Sequence, residues 1–279
     1  MKRKPIAALI YDFDGTLSPG NMQEFGFIQA IGRTPEEFWK MSDGIAIGQD
    51  ASNILAYMKL MKDEAEKLGI RLTRENFRRF GADIKLYEGV REWFGLVNRY
   101  GRERGVIIEH YINSSGLTEI IEGSPIAREF KHIFAGSYIY NEAGEAEWPG
   151  IAVDYTAKTQ YLFKIQKGIF SSRDAKRVNE SMAEENKRIP FSNMIYFGDG
   201  ETDVPSMKVV SMFGGHTVAV FDPANPAKRA SARKLQRQGR ASFISPANYT
   251  RDSRTFRLVC SIIDKIKADH ELKCLARYR

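Results

Sequence analysis

The sequence has only two cysteines and four histidines in 279 residues. That scarcity excludes a disulfide framework and a His/Cys zinc site. On one terminal helix Cys260 and Cys274 would lie ~21 Å apart along the axis, too far to bridge, and they read as reduced cytosolic thiols. No apolar run approaches the ~20 residues of a membrane-spanning helix, so no membrane contact is expected. Internal repeats, low-complexity tracts and long Gly/Ser linkers are absent as well. The opening MKRKPIAALIYDFDG imitates a signal peptide, but its apolar stretch ends at Tyr11 and acid follows at Asp12. No small-residue cleavage site follows, so the segment reads as a buried strand and the expected location is cytoplasmic.

Acid is missing from one stretch in particular. Between Pro223 and Arg251 there is no Asp or Glu, while Lys228, Arg229, Arg233, Lys234, Arg237, Arg240 and Arg251 all fall there. These cations account for the whole formal net charge of +7, which leaves the rest of the chain neutral overall. Such a segment reads first as a solvated helix face, and nucleic acid is not the expected partner.

What is present is an ordinary globular composition, 43% hydrophobic and 28% charged. Ile6 to Tyr11 is a short apolar run ending in acid and glycine, as buried parallel strands do. From about residue 21 to 81 the pattern is helical. Thr34-Pro35-Glu36-Glu37 opens one helix as cap, proline and acids, and Ala51–Leu68 forms another. A helix over Val90–Arg104 then leads to a strand over Val106–Ile112, and a short helix and a hairpin around 133–148 follow. Helices over Thr159–Lys167 and Asp174–Lys187 precede strands at Met194–Phe197, Thr217–Phe221 and Ser242–Ile244. A C-terminal helix begins near Ser253. Strands separated by helices predict an α/β fold, a doubly wound, Rossmann-like parallel sheet with ligands at the carboxyl ends of its strands. The helical block interrupts it after the first strand. The expected domains are therefore a core of residues 1–17 and 87–279 and an inserted α-helical cap of residues 18–86.

In that architecture the residues just past the strands converge. They are Asp12 and Asp14 in DFDGTL, Ser114 and Ser115 in INSSG, and Asp199 and Asp203 in GDGETD, with Lys158 near a helix start. Four carboxylates in one crevice repel each other unless a cation joins them. Magnesium suits hard oxygen ligands and keeps positions open for water and phosphate. A lysine and a hydroxyl in the same crevice suit an anion such as a phosphoryl group. The residues alone thus point to a magnesium-dependent phosphoryl-transfer site, with Ser114 and Lys158 expected at a solvated crevice.

These motifs, in this order, resemble the haloacid dehalogenase-like hydrolase superfamily, in its phosphoserine-phosphatase-like branch. The resemblance implies a nucleophile at Asp12 and a general acid and base at Asp14. It implies phosphoryl binding by Ser114 and Lys158, with Thr16 and Ser115 beside them. Magnesium would be held by Asp12, by the main-chain carbonyl of Asp14 and by Asp199, with Asp203 in support. An acid at position 14 sets the chain apart from the metal-independent dehalogenases. The helical insert resembles the family's cap of the first type, and the span from Ser114 to Lys158 is too short for the large second-type cap. The loop Ser18-Pro19-Gly20-Asn21-Met22-Gln23 has no clear counterpart of the acid-rich phosphoserine-recognition sequence. The implied activity is hydrolysis of a small phosphorylated metabolite through an aspartyl-phosphate on Asp12. Transfer to an acceptor other than water stays open, as does nucleic-acid or anion binding by the basic 228–240 segment. His110, inside a strand, reads as a histidine of the core or one just behind the site, rather than a catalyst.

Overall fold

The computed structural model describes residues 4–276. In chain order the elements are β1 (Ile6–Tyr11), α1 (Phe27–Ala30), α2 (Pro35–Gly48), α3 (Asn53–Lys67), α4 (Arg74–Gly81), α5 (Val90–Arg104), β2 (Ile107–Leu117), α6 (Thr118–Gly123), β3 (His132–Tyr140), β4 (Ala146–Ile151), α7 (Ala157–Lys167), β5 (Met194–Gly198), α8 (Val204–Met212), β6 (His216–Phe221), α9 (Pro226–Arg237), β7 (Phe243–Pro246) and α10 (Arg254–Ala276). The sheet order is β4-β3-β2-β1-β5-β6-β7, parallel throughout except for the antiparallel β3–β4 hairpin. The strand order runs outward in both directions from β1, so a crevice opens past the carboxyl ends of β1, β2 and β5.

β1 is buried at every position because both of its faces are covered. Ala7, Leu9 and Tyr11 join a core with Trp93 and Val97 of α5 and Val259 and Ile263 of α10. Ile6, Ala8 and Ile10 join a second core with Leu162 and Ile165 of α7 and Met207 and Val210 of α8. Under the first face runs a buried polar chain. Trp93 Nε1 donates to Tyr11 Oη at 2.8 Å, Tyr11 Oη meets His110 Nδ1 at 3.0 Å, and His110 Nε2 meets Asn98 Oδ1 at 3.1 Å. The donor on Trp93 leaves the Tyr11 proton for Nδ1, so Nε2–H donates to Asn98 and the ring is neutral.

The helical block sits above the carboxyl ends of the strands. Thr34 closes a full capping box with Glu37 at the start of α2. α4 crosses α6 where Gly81 and Gly123 meet. A Cβ on either residue would overlap the opposing backbone, at Ile120 O and Arg78 O respectively. Two tyrosines add hydrogen bonds between the block and the strands: Tyr57 Oη donates to Ser115 O at 2.9 Å and Tyr138 Oη to Met58 O at 2.6 Å.

Two sequence expectations are corrected. A helix over 174–187 does not form; Ser172–Asn179 and Glu184–Asn186 are short 3-10 turns instead. Val178 and Met182 stay partly exposed, and a helix without a buried apolar face has little to hold it. β2 runs to Leu117, past Ile112, and its pairing with β3 is irregular between Asn113 and Leu117. Such irregularities re-aim side chains at strand ends, here those of Ser114 and Ser115. Both cysteines are free, and among the described residues no helix is long and apolar enough to cross a membrane.

Candidate active site

Asp12 continues the β1 face that carries Ala8 and Ile10. Its own N–H donates to Phe197 O at 2.9 Å, which fixes it against β5. On that face it meets Lys158 from the first turn of α7. Lys158 Nζ lies 3.1 Å from Asp12 Oδ1 and 2.7 Å from Asp203 Oδ1, and Tyr196 Oη also donates to Asp203 Oδ1 at 2.8 Å. The crevice expected around Lys158 is closed over it: the residue is wholly buried, and Asn113 Nδ2 holds its carbonyl at 3.0 Å.

After Asp12 the chain turns sharply, with Leu17 N–H and Ser18 N–H both donating to Phe13 O. Gly15 takes φ +72° in this turn, and a Cβ there would overlap the Asp199 carboxylate. Gly198, at the end of β5, likewise leaves room for the Asp203 carboxylate. The two glycines let the acids approach. A 3-10 turn, Glu201–Asp203, separates β5 from α8, so Asp199 and Asp203 precede the α-helix rather than lying along it. Asp12, Asp199 and Asp203 nonetheless each offer an oxygen within 4.8 Å of the others.

Asp14 points into a different setting. Its Oδ1 accepts the Met22 N–H at 2.9 Å, while Met22 itself is buried and its sulfur accepts Leu117 N–H at 3.2 Å. Ser114 and Ser115 part company. Ser114 is buried and its Oγ accepts Gly116 N–H at 3.0 Å. Ser115 lines the cavity, and its buried Oγ has no protein partner. Thr16 is buried behind the turn with Oγ1 unpartnered, and its carbonyl accepts Tyr249 Oη at 2.7 Å.

The cavity these residues border has a volume of 530 Å³, and its wall includes Asp12, Asp14, Glu24, Ser115, Asp199, Asp222 and Lys228. Glu24 is held by Trp39 Nε1 at 2.8 Å and Asn21 Nδ2 at 2.7 Å. Charge crowding shows in the acidities. Burial, then the neighbouring Asp203 carboxylate, raises the Asp12 pKa to about 7, against the opposing pull of Lys158. Burial and the Asp12 carboxylate push Asp14 well above the ordinary range. Burial also raises Asp199, although Lys228 opposes the shift. Burial alone would lower Lys158, but Asp12 and Asp203 overcome it and hold the ammonium above its ordinary value.

These residues fit a hard divalent cation. The donors are carboxylate oxygens, Asp203 Oδ2 is buried without a hydrogen-bond partner, and burial with the neighbouring Asp203 carboxylate raises the pKa of Asp12, a shift that a bound cation would oppose.

Lys228 was not singled out by the sequence. It belongs to the basic segment, which is otherwise the solvated helix face expected: α9 exposes its Lys and Arg side chains and buries only Ala232 and Leu235. Yet Lys228 Nζ reaches Asp199 Oδ2 at 2.8 Å. The available signal was its place just after a strand, β6, at the carboxyl end of the sheet.

Comparison with known proteins places these features. A family model for haloacid dehalogenase-like hydrolases matches residues 9–208. An uncharacterized protein of Borreliella burgdorferi is 26% identical over 285 residues, covering 92% of this chain and 96% of its own length. A solved structure of a probable phosphoserine phosphatase from Vibrio cholerae superposes with a TM-score of 0.56 at 14% identity, covering 97% of this chain and 67% of that one. A substrate-bound phosphoserine phosphatase complex gives a TM-score of 0.51 at 17% identity, over 90% and 96% of the two chains. A hydrolase from Salmonella enterica serovar Typhi gives 0.53 at 15% identity, over 82% and 67%. At such identities the structural likeness establishes a shared fold.

Proposed function

The chain belongs to the haloacid dehalogenase-like hydrolase family, and from that premise we propose that it is a magnesium-dependent phosphatase of small phosphomonoesters. The observation that carries this reading is the convergence of Asp12, Asp199 and Asp203 around the buried ammonium of Lys158, at the wall of an open cavity. The carboxylates of Asp12, Asp199 and Asp203 outnumber the lysines that touch them, Lys158 and Lys228, and a divalent ion would supply the missing positive charge.

In this reading Asp12 attacks the phosphorus. Its carboxylate oxygen forms a bond to phosphorus as the ester P–O bond breaks, and Asp14 gives its proton to the departing alkoxide. The raised pKa of Asp14 suits a group that must start protonated. Asp14, now a carboxylate, takes a proton from water, which attacks the aspartyl-phosphate and frees phosphate and Asp12. Lys158 keeps Asp12 and Asp203 in place and adds positive charge next to the transferring group. Ser115 offers an unspent hydroxyl at the cavity wall, and Ser114 precedes it on β2. Magnesium, when bound, would be held by Asp12, Asp199 and the main-chain carbonyl of Asp14, with Asp203 in support, and would neutralise phosphoryl charge. Residues 18–86 serve as the cap, and their contribution to the cavity, Glu24 above all, bears on which substrate is accepted.

The test is hydrolysis of a chromogenic phosphomonoester with and without magnesium. Turnover that requires magnesium and stops in excess chelator is expected. Full activity in excess chelator would reject the metal-dependent reading. A panel of phosphorylated metabolites, including serine phosphate and sugar phosphates, then defines the substrate.

A further inference from the structure

By composition the cations from residue 228 to 240 look alike, but position sets one apart. Lys228 occupies the first turn of α9, and its ammonium sits 2.8 Å from Asp199 Oδ2. Its side chain is 50% exposed and that of Asp199 12%, so the contact lies at the cavity surface. Asp12, Asp14, Glu24, Asp199 and Asp222 all contribute to the wall, and Lys228 is the one cation among the described lining residues. A phosphate dianion entering there meets carboxylates and neutral polar side chains, and a positive charge only where Lys228 stands. Lys158 is sealed beneath the surface and already engaged by Asp12 and Asp203.

Asp199 is thus claimed twice. It belongs to the trio whose oxygens lie within 4.8 Å of one another, and its Oδ2 is held by a lysine. An ammonium and a divalent cation on the same carboxylate repel each other. Lysine is a point charge on a flexible four-carbon stem, able to leave one partner for another nearby.

Resting on the phosphatase reading, we propose that Lys228 has two stations. Without metal it neutralises Asp199; when a divalent cation binds there, Lys228 gives up that carboxylate and holds the anionic oxygens of the phosphoester in the cavity. Lys228 therefore weakens metal binding in the free protein and strengthens phosphate binding in the loaded one. A residue serving only to fix α9 would do neither.

The experiment uses the full chain, with Mn²⁺ as the probe. Free Mn²⁺ is followed by electron paramagnetic resonance in metal-free protein without substrate. Lys228→Gln should bind Mn²⁺ roughly five-fold more tightly, the worth of a part-exposed pair, while Lys228→Arg stays near the parent protein. Inorganic phosphate is then titrated calorimetrically into Mn²⁺-saturated protein. Lys228→Gln should bind it roughly ten-fold more weakly, and Lys228→Arg should retain most of the affinity. Unchanged Mn²⁺ affinity in Lys228→Gln overturns the first station, and unchanged phosphate affinity overturns the second. If the parent protein hydrolyses a chromogenic phosphoester while both affinities stay unmoved, this proposal fails and the phosphatase reading stands. If the parent protein binds no Mn²⁺ and hydrolyses nothing, both fail.

Discussion

The main-chain N–H of Met22 donates a 2.9 Å hydrogen bond to Asp14 Oδ1, so a residue of the helical insert orients the second acid of the opening motif. Met22 packs in turn over Gly116, where a Cβ would overlap its sulfur and terminal methyl group. Gly116→Ala should displace Met22 and misdirect Asp14. Overpacking of this kind costs about 1–3 kcal/mol of stability, whereas a misplaced catalytic group can cost ~10²-fold in rate. Turnover of a chromogenic phosphoester should fall much further than the melting temperature suggests. Normal turnover in a protein with normal melting would show that Met22 does not govern Asp14.

Lys158 joins two carboxylates while wholly buried. Lys158→Met removes the ammonium and leaves Asp12 and Asp203 facing each other in a closed space. Breaking a buried charge network from one side costs about 3–5 kcal/mol, although protonation of Asp12 relieves part of it here. The variant should melt well below the parent protein in chelator at pH 8 and recover part of the loss when magnesium is added. Thermal melts in the two conditions give the answer, and equal melting in chelator would remove Lys158 from its structural role.

His110 makes the fold sensitive to acid. Burial lowers its pKa from 6.5 to about 3, and Tyr11 and Asn98 occupy both ring nitrogens. The unfolded chain takes up a proton below about pH 6.5 that the folded ring refuses until about pH 3, so this contribution is whole above pH 6.5 and lost as pH falls. The slope is about 1.4 kcal/mol per pH unit within that window. His110→Gln lowers stability at neutral pH yet should flatten its fall between pH 6 and 4. Chemical denaturation across that range measures the slope, and an unchanged slope would assign the acid lability elsewhere.

Much of this was legible in the sequence because strands and their punctuation follow short-range rules. Ile6–Tyr11 ends in acid and glycine, and Thr34 followed by proline and two acids can hardly be other than a helix start. The acids of the site were legible for a related reason, since topology alone carries Asp12 and Asp199 to neighbouring strand ends. What escaped depends on contacts between distant segments. Nothing near residue 158 says what covers Lys158, nor does the local charge pattern say that Lys228, unlike Arg233, faces an acid. The 174–187 segment shows the opposite error: its apolar spacing suits a helix, but Val178 and Met182 find no surface that buries them. The irregularity in β2 that separates Ser114 from Ser115 arises from pairing with β3, which β2 alone does not encode.

The most direct measurement is intact mass after rapid acid quench, with an activated phosphoester as substrate. Asp14→Asn keeps the main-chain carbonyl and the nucleophile but can neither donate a proton nor accept one from water. An activated leaving group needs little acid, so the first step proceeds and the second stalls. A covalent phosphoryl adduct on Asp12 should therefore accumulate in Asp14→Asn and be absent from Asp12→Asn with any substrate. A phosphoryl adduct on the Asp12→Asn protein would contradict the assignment of Asp12 as the nucleophile.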